Sequence, residues 1–306
     1  MHIPDGFLST KVWAALDVAA IPAVAALDVA AIPAVAAIAR RAQRSFDESK
    51  VPLLGVMGAF VFAAQMINFP VGIGTTGHLV GGAVLAFTLG PAAAAVVMTA
   101  IVAIQALVFQ DGGVLALGPN ILNMAVLGVL AGYLPYYLWS GTRWRKAAIF
   151  GGGALSLMVS AVCALSELLL SGVHMSAPVL SLSLVLFAVS AVLEGAITLA
   201  IIQALESMQA GLVQRPVLRP AAPKGVALAA VLLAVVGVLF AAAGPDGIEK
   251  LGHARFWFTT PFTGYETSFV QNPWLRKATA GLAGLALIYG ACMLGGRALA
   301  SRHRSV

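Results

Sequence analysis

Residues 92–109 read AAAAVVMTAIVAIQALVF, eighteen positions without a charge. A helix that crosses the hydrocarbon of a bilayer needs about 20 predominantly apolar residues. This stretch has the length and the composition for that environment. Eight further stretches read the same way: 12–39, 53–69, 78–90, 118–139, 147–171, 178–207, 225–243 and 278–299. The whole chain agrees, since 60% of its 306 residues are hydrophobic and 10% are charged, whereas soluble domains carry about 25% charged residues. The expected fold is therefore all-α, a polytopic membrane protein of about nine transmembrane helices. The third stretch, 78–90, is short and contains Gly81, Gly82 and Gly90, so it is expected to be tilted or partly re-entrant. Gly90-Pro91 separates it from the fourth.

The basic residues orient the chain. Thirteen of the 18 Lys and Arg fall in the stretches 40–50, 143–146, 215–224 and 297–304. With nine spans these all lie on one side, and the positive-inside rule makes that side the cytoplasm. The amino terminus is then outside and the carboxyl terminus inside, in the plasma (inner) membrane of a prokaryote. The net charge of +6 follows this topology and implies no nucleic-acid partner. Residues 208–224, with Pro216, Pro220 and Pro223 among Arg215, Arg219 and Lys224, read as a cytoplasmic linker. They divide a seven-helix part, 1–207, from a two-helix part, 225–306. The second part carries one long outer loop, 244–277, rich in Phe, Tyr and Trp. Those aromatics read either as membrane-interface anchors or as a small cap. Cys163 and Cys292 lie in apolar stretches and read as inert buried thiols.

The first apolar stretch contains AALDVAAIPAV twice in tandem, at 14–24 and 25–35. Eleven residues make about three helical turns, so Asp17 and Asp28 would share one stripe. A polar stripe facing other helices and a tolerated local duplication both fit this pattern.

The chemistry-bearing residues cluster on the outer side. The chain opens Met-His-Ile-Pro-Asp-Gly. An imidazole at position 2 stands one backbone amide away from an α-amino group. A divalent ion can bind the amine, the amide nitrogen and the imidazole together, in two small chelate rings. Such nitrogen donors suit nickel, copper, cobalt or zinc better than magnesium or calcium. The same six residues also read as a leader that happens to contain a histidine. No secretory leader is expected, because Pro4, Asp5 and Gly6 precede any apolar run. His2 is a large second residue, so a retained Met1 with its amine is expected.

The loop 68–77, NFPVGIGTTG, is too glycine-rich for regular helix and ends at His78. Irregular backbone at membrane depth is tolerated only when buried in protein or lining a cavity. His78 reads as a helix-end histidine or as a metal ligand on the same side as His2. Met1, His2 and His78 together offer four nitrogens, a set that suits a square-planar d8 ion such as Ni(II). Asn68, Thr75, Thr76, Gln110 and Asp111 are candidates to hold the imidazoles from behind.

No phosphate-binding Gly-x-x-x-x-Gly-Lys-Ser/Thr motif and no His-Glu-x-x-His pair occurs in the chain. Glu167 and Glu194 are acids within apolar stretches, which read equally as structural polar contacts between helices or as the proton relay of a proton-coupled secondary carrier of transition metals. A membrane metalloenzyme centred on His78 and His174 is a third reading. His303 lies among arginines in the inner tail and carries no expected site role.

Three blocks carry a family resemblance: MHIPDGFLS at 1–9, NFPVGIGTTGHLVGGAVLAFTLGP at 68–91 and QDGGVLALGPNILNMAV at 110–126. They closely resemble the CbiM/NikM family, the substrate-capture components of energy-coupling factor (ECF) transporters for cobalt and nickel. The resemblance covers about 1–207. Residues 245–249, Pro-Asp-Gly-Ile-Glu, resemble the PDGLE segment of the fused NikN-type partner. The resemblance implies a seven-helix module that captures Ni(II) or Co(II), with the Met1 amine, the His2 amide nitrogen and imidazole, and His78 as ligands. It implies no catalytic residue and no intrinsic cofactor, the ion being the substrate. It also implies separate ATPase subunits and a separate transmembrane coupling subunit as partners. The duplicated 14–24/25–35 segment departs from the family pattern, and the NikN-like tail leans the reading toward nickel.

Overall fold

In the computed structural model, residues 51–72, 75–114, 116–170, 175–208, 213 and 258–301 are described. Met1, His2, His174, the tandem repeat, the spans expected at 12–39 and 225–243, and nearly all of the linker 208–224 lie outside the described residues.

The described elements run α1 (Val51–Gln65), β1 (Asn68–Gly72), β2 (Thr75–His78), α2 (Gly82–Leu89), α3 (Pro91–Ile104), α4 (Leu117–Asn120), α5 (Val129–Trp139), α6 (Arg145–Leu170), α7 (Ala177–Met208) and α8 (Pro273–Ser301). A π-helical segment, Gln105–Phe109, continues α3, and a second, Ile121–Gly128, joins α4 to α5. Among the described residues five helical stretches are long and apolar enough to cross a membrane: Pro91–Phe109, Leu117–Trp139, Arg145–Leu169, Ala177–Met208 and Pro273–Ala298. They coincide with the sequence expectations at 92–109, 118–139, 147–171, 178–207 and 278–299 to within a few residues.

Two of the expected spans come out differently. The stretch 53–69 is helical only as far as Gln65 and has become strand by Asn68. The stretch 78–90 holds a helix of 8 residues, about 12 Å long at 1.5 Å per residue, which is short of a bilayer core. The reason is local. Gly81 at φ 74 and Gly90 at φ 81 take backbone conformations that L side chains avoid, one at each end of α2. Pro91 then starts α3, where its missing N–H costs nothing.

The segment 68–77, expected as irregular loop, forms an antiparallel hairpin. Its register pairs Asn68 with His78, Phe69 with Gly77, Pro70 with Thr76 and Gly72 with Thr75, with an irregularity between Pro70 and Gly72. The all-α bundle thus carries one two-stranded ribbon. Such a ribbon has unpaired edges and survives at membrane depth only inside protein. Accordingly Thr76 and His78 are buried, and a Cβ added to Gly77 would stand 3.2 Å from Ser190 Oγ of α7.

Small residues let the helices close around this ribbon. Lipid tails are as apolar as leucine, so helix association in a bilayer relies on close packing rather than on hydrophobic exclusion. Gly152 of α6 meets the Gly132 carbonyl of α5, and a Cβ on Gly195 of α7 would lie 2.6 Å from the Phe150 carbonyl of α6. Helix α8 lies on α1 by the same device. A Cβ on Gly55 would lie 2.7 Å from the Tyr289 ring, and one on Gly58 would lie 3.0 Å from Cys292 Sγ. The described end of the 225–306 part is therefore packed into the bundle. Phe62, Phe87 and Phe109 are fully buried at its centre.

Candidate metal-capture loop

His78 ends β2, and its side chain is 8% exposed. Its Nδ1 lies 3.0 Å from the carbonyl oxygen of Leu79. A carbonyl only accepts, so Nδ1 carries the proton and Nε2 carries the lone pair. This is the tautomer in which an imidazole binds a metal through Nε2. Asn68 stands directly across the ribbon from His78, and opposed residues have Cβ atoms about 5 Å apart. Thr76, two residues before His78, shares its face of the strand and is buried. Thr75 pairs with Gly72 at the tip of the ribbon.

The chain that leaves His78 is held by three helices. The Val80 N–H donates to Glu194 Oε2 at 2.8 Å, and the Gly81 N–H donates to Glu194 Oε1 at 2.9 Å. Gln65 of α1 donates its Nε2 to the Val80 carbonyl at 2.6 Å. Gln105, where α3 becomes π-helical, donates its Nε2 to Gln65 Oε1 at 2.8 Å. Ser190, Glu194 and Thr198 recur every four residues on α7 and are all buried, so they form one polar stripe behind the ribbon. Sequence reading singled out Glu194 but passed over Gln65, Gln105, Ser190 and Thr198. The available signal was a period-four set of polar residues in an otherwise apolar helix.

Glu167 also has a structural partner. Its Oε2 accepts the Nδ2 of Asn123 at 2.8 Å, joining α6 to the second π-helical segment. Among the described residues no three His, Cys, Asp or Glu side chains gather closely enough to hold a metal ion.

Gln110 and Asp111, expected beside the imidazoles, are engaged by the outer loop of the two-helix part. Gln110 donates to the Phe258 carbonyl and accepts the Thr263 hydroxyl at 2.6 Å. The Thr260 hydroxyl donates to the Val108 carbonyl. The Tyr265 hydroxyl donates to Asp111 Oδ2 at 2.5 Å. Phe109 stacks on Tyr265 with ring centroids 4.8 Å apart and meets Phe262 at 6.1 Å. Among the described residues, the two non-glycine residues with positive φ, Gln110 at 56° and Tyr265 at 59°, flank this seam. Such backbone is uncommon for side-chain-bearing residues and persists where surrounding contacts over-determine it. The aromatic loop therefore divides between its two readings. Phe262 and Tyr265 form a cap, while Phe269 and Trp274 are exposed, at 73% and 59%, as interface anchors would be. Tyr265→Phe is expected to cost roughly 2 kcal/mol, the usual value of a hydrogen bond to a charged acceptor. Thermal unfolding in detergent measures it.

Residues 2–212 match the model of a family described as CbiM, cobalt uptake substrate-specific transmembrane region. The chain belongs to this family. A protein of Archaeoglobus fulgidus named as a fused nickel transport protein, NikMN, is 33% identical over 262 residues, spanning 83% of this chain and 80% of its own. A cobalt transport protein CbiM of Acetoanaerobium sticklandii is 29% identical over 174 residues, 56% of this chain and 67% of its own. A crystal structure of a truncated transition metal transporter superposes with a TM-score of 0.56 at 31% identity, covering 68% of this chain and 99% of that one. The family match spans the module expected at 1–207, and the NikMN likeness reaches into the two-helix part. The chain is thus a multi-pass membrane protein of a cobalt and nickel transport family.

Proposed function

We propose that this chain captures Ni(II), or Co(II), at an outward-facing site as the substrate-binding subunit of an ATP-driven ECF importer. The ligands are the Met1 amine, the His2 amide nitrogen and imidazole, and His78 Nε2. The supporting observation is the state of His78: buried at the end of a ribbon, with Nδ1 committed to the Leu79 carbonyl. That commitment orients the ring and selects the metal-binding nitrogen before the ion arrives, which lowers the entropic cost of capture. The chain lacks a phosphate-binding loop, so ATP hydrolysis resides in separate ATPase subunits. A transmembrane coupling subunit links them to the capture module in the prokaryotic plasma membrane.

The proton-carrier alternative would give Glu167 or Glu194 a mobile proton. Glu194 accepts a backbone N–H on each carboxylate oxygen, and Glu167 accepts from Asn123. Both acids therefore have structural work that favours the capture reading.

The test is calorimetric titration of the purified protein with Ni(II) and Co(II). His2→Ala and His78→Ala are each expected to remove measurable binding, whereas His303→Ala leaves it intact. Wild-type affinity in His78→Ala would refute the site. Lowering the pH should weaken binding, because amine, amide and imidazole coordinate only after losing protons. Uptake in vesicles that persists without any ATPase subunit would favour the carrier.

A further inference from the structure

We infer that Glu194 is a positioning residue of the metal site, acting on His78 through the peptide group between Leu79 and Val80. The inference rests on the reading of His78 as a ligand. His78 Nδ1 donates to the Leu79 carbonyl at 3.0 Å. The Val80 N–H donates to Glu194 Oε2 at 2.8 Å. That carbonyl and that N–H belong to one peptide group.

The group is planar and, with no cis peptide bond among the described residues, it is trans. Its C=O and N–H then point in opposite directions. One line of hydrogen bonds runs from the Glu194 carboxylate, through the rigid amide, to Nδ1 of the imidazole. Metal-bound histidines commonly donate their second nitrogen to a carboxylate, which fixes the ring and strengthens it as a ligand. Here an amide stands between the two. Hydrogen bonds in series polarise one another, so the carboxylate makes the Leu79 oxygen a better acceptor and Nε2 a better donor to the metal.

The surroundings hold this line rigid. The Gly81 N–H binds the other carboxylate oxygen at 2.9 Å. Successive N–H groups of this kind, with Gly81 at φ 74, form a concave anion seat. Gln65 holds the Val80 carbonyl at 2.6 Å from the opposite element. Glu194 is 0% exposed, and a Cβ on Gly153 of α6 would lie 3.0 Å from its backbone oxygen. The two N–H groups therefore hold both carboxylate oxygens of a buried side chain. In the carboxylate form, which both N–H donors favour, Glu194 also sets a negative charge one amide behind a cation bound at His78.

Glu194→Gln keeps the shape and removes the charge. Outer residues of this kind typically contribute about 10- to 100-fold to metal affinity. Glu194→Gln is expected to raise the Kd for Ni(II) at least tenfold and to move the Ni(II) d–d absorption band to lower energy. Its elution profile should stay near wild type, while its melting temperature should fall, because the amide offers one acceptor oxygen to the two N–H groups of Val80 and Gly81. Thr198→Val, on the same stripe but outside the line, should leave both Kd and band unchanged. A folded Glu194→Gln protein with wild-type Kd and band overturns the inference. If that variant fails to fold, the wild-type protein carries the test. Square-planar Ni(II) is diamagnetic, so the Val80 amide proton can be followed by NMR as Ni(II) is added. A shift that saturates with the metal supports the line of bonds, and an unmoved resonance overturns it. Metal binding retained in His78→Ala would instead remove the site reading itself. Loss in His78→Ala with no effect of Glu194→Gln removes only the role of Glu194.

Discussion

One residue placed ahead of Met1, or acetylation of its amine, is expected to abolish nickel binding while the protein keeps its fold. In the proposed site the amine closes one chelate ring and the His2 amide nitrogen is shared by both. An added residue converts the amine into a peptide nitrogen and moves the new terminus out of reach. Acetylation delocalises the same lone pair. Either change removes one of the four proposed donors, and the Kd should rise by at least about a thousandfold, about 4 kcal/mol. Titration with Ni(II) before and after acetylation measures this, with the melting temperature as the control for folding. The prediction separates an amine ligand from an ordinary histidine pair. A site built from His2 and His78 imidazoles alone would tolerate the added residue.

Gly284→Leu is expected to destabilise the protein by about 3 kcal/mol or more, whereas Gly290→Leu on the same helix changes it by less than about 0.5 kcal/mol. A Cβ on Gly284 would overlap the Phe62 ring and lie 2.9 Å from Phe109 Cζ, while nothing lies within 4 Å of one on Gly290. Phe62 and Phe109 are both fully buried, with ring centroids 5.3 Å apart, so neither can yield. The damage should spread to the cap, because Phe109 also stacks on Tyr265. Thermal unfolding of both variants in detergent, followed by tryptophan fluorescence, decides it. Equal stability of the two variants would mean that α8 is a detachable tail.

Much of the fold was legible in the residues. The five long spans among the described residues were placed closely because hydrocarbon imposes a length and an apolarity on any helix that crosses it. The ends of α2 were marked by Gly81 and by Gly90-Pro91, residues whose backbone preferences are local. The same local preference concealed the hairpin. Glycine and threonine announced that 68–77 was not helix, but the pairing of Asn68 with His78 is a contact between two segments, and neither announces its partner. The stretch 78–90 holds a helix of 8 residues, which fits the partly re-entrant reading and not a full span. Its apolarity suited the protein interior as well as lipid, and helix length alone distinguishes the two.

The candidate site divides in the same way. His78 stood out because a histidine at the end of a glycine-rich loop is chemically conspicuous. Glu194 stood out as a cost, an acid in an apolar helix, and so it read equally as a proton carrier or as a polar contact between helices. Its partners are 113 and 114 residues away in the chain, and only packing brings them together. Gln110 and Asp111 read as support for the imidazoles, yet their hydrogen-bond partners include Phe258, Thr263 and Tyr265, about 150 residues further on. By itself, then, the sequence determined the membrane class, the expected orientation and the residues able to bind a transition metal, because solvent and donor chemistry act on each residue where it stands. Only the tertiary structure decided what Glu194 holds and what covers the end of α3. Those depend on hydrogen bonds and ring contacts between distant segments, whose partners composition and local spacing do not specify.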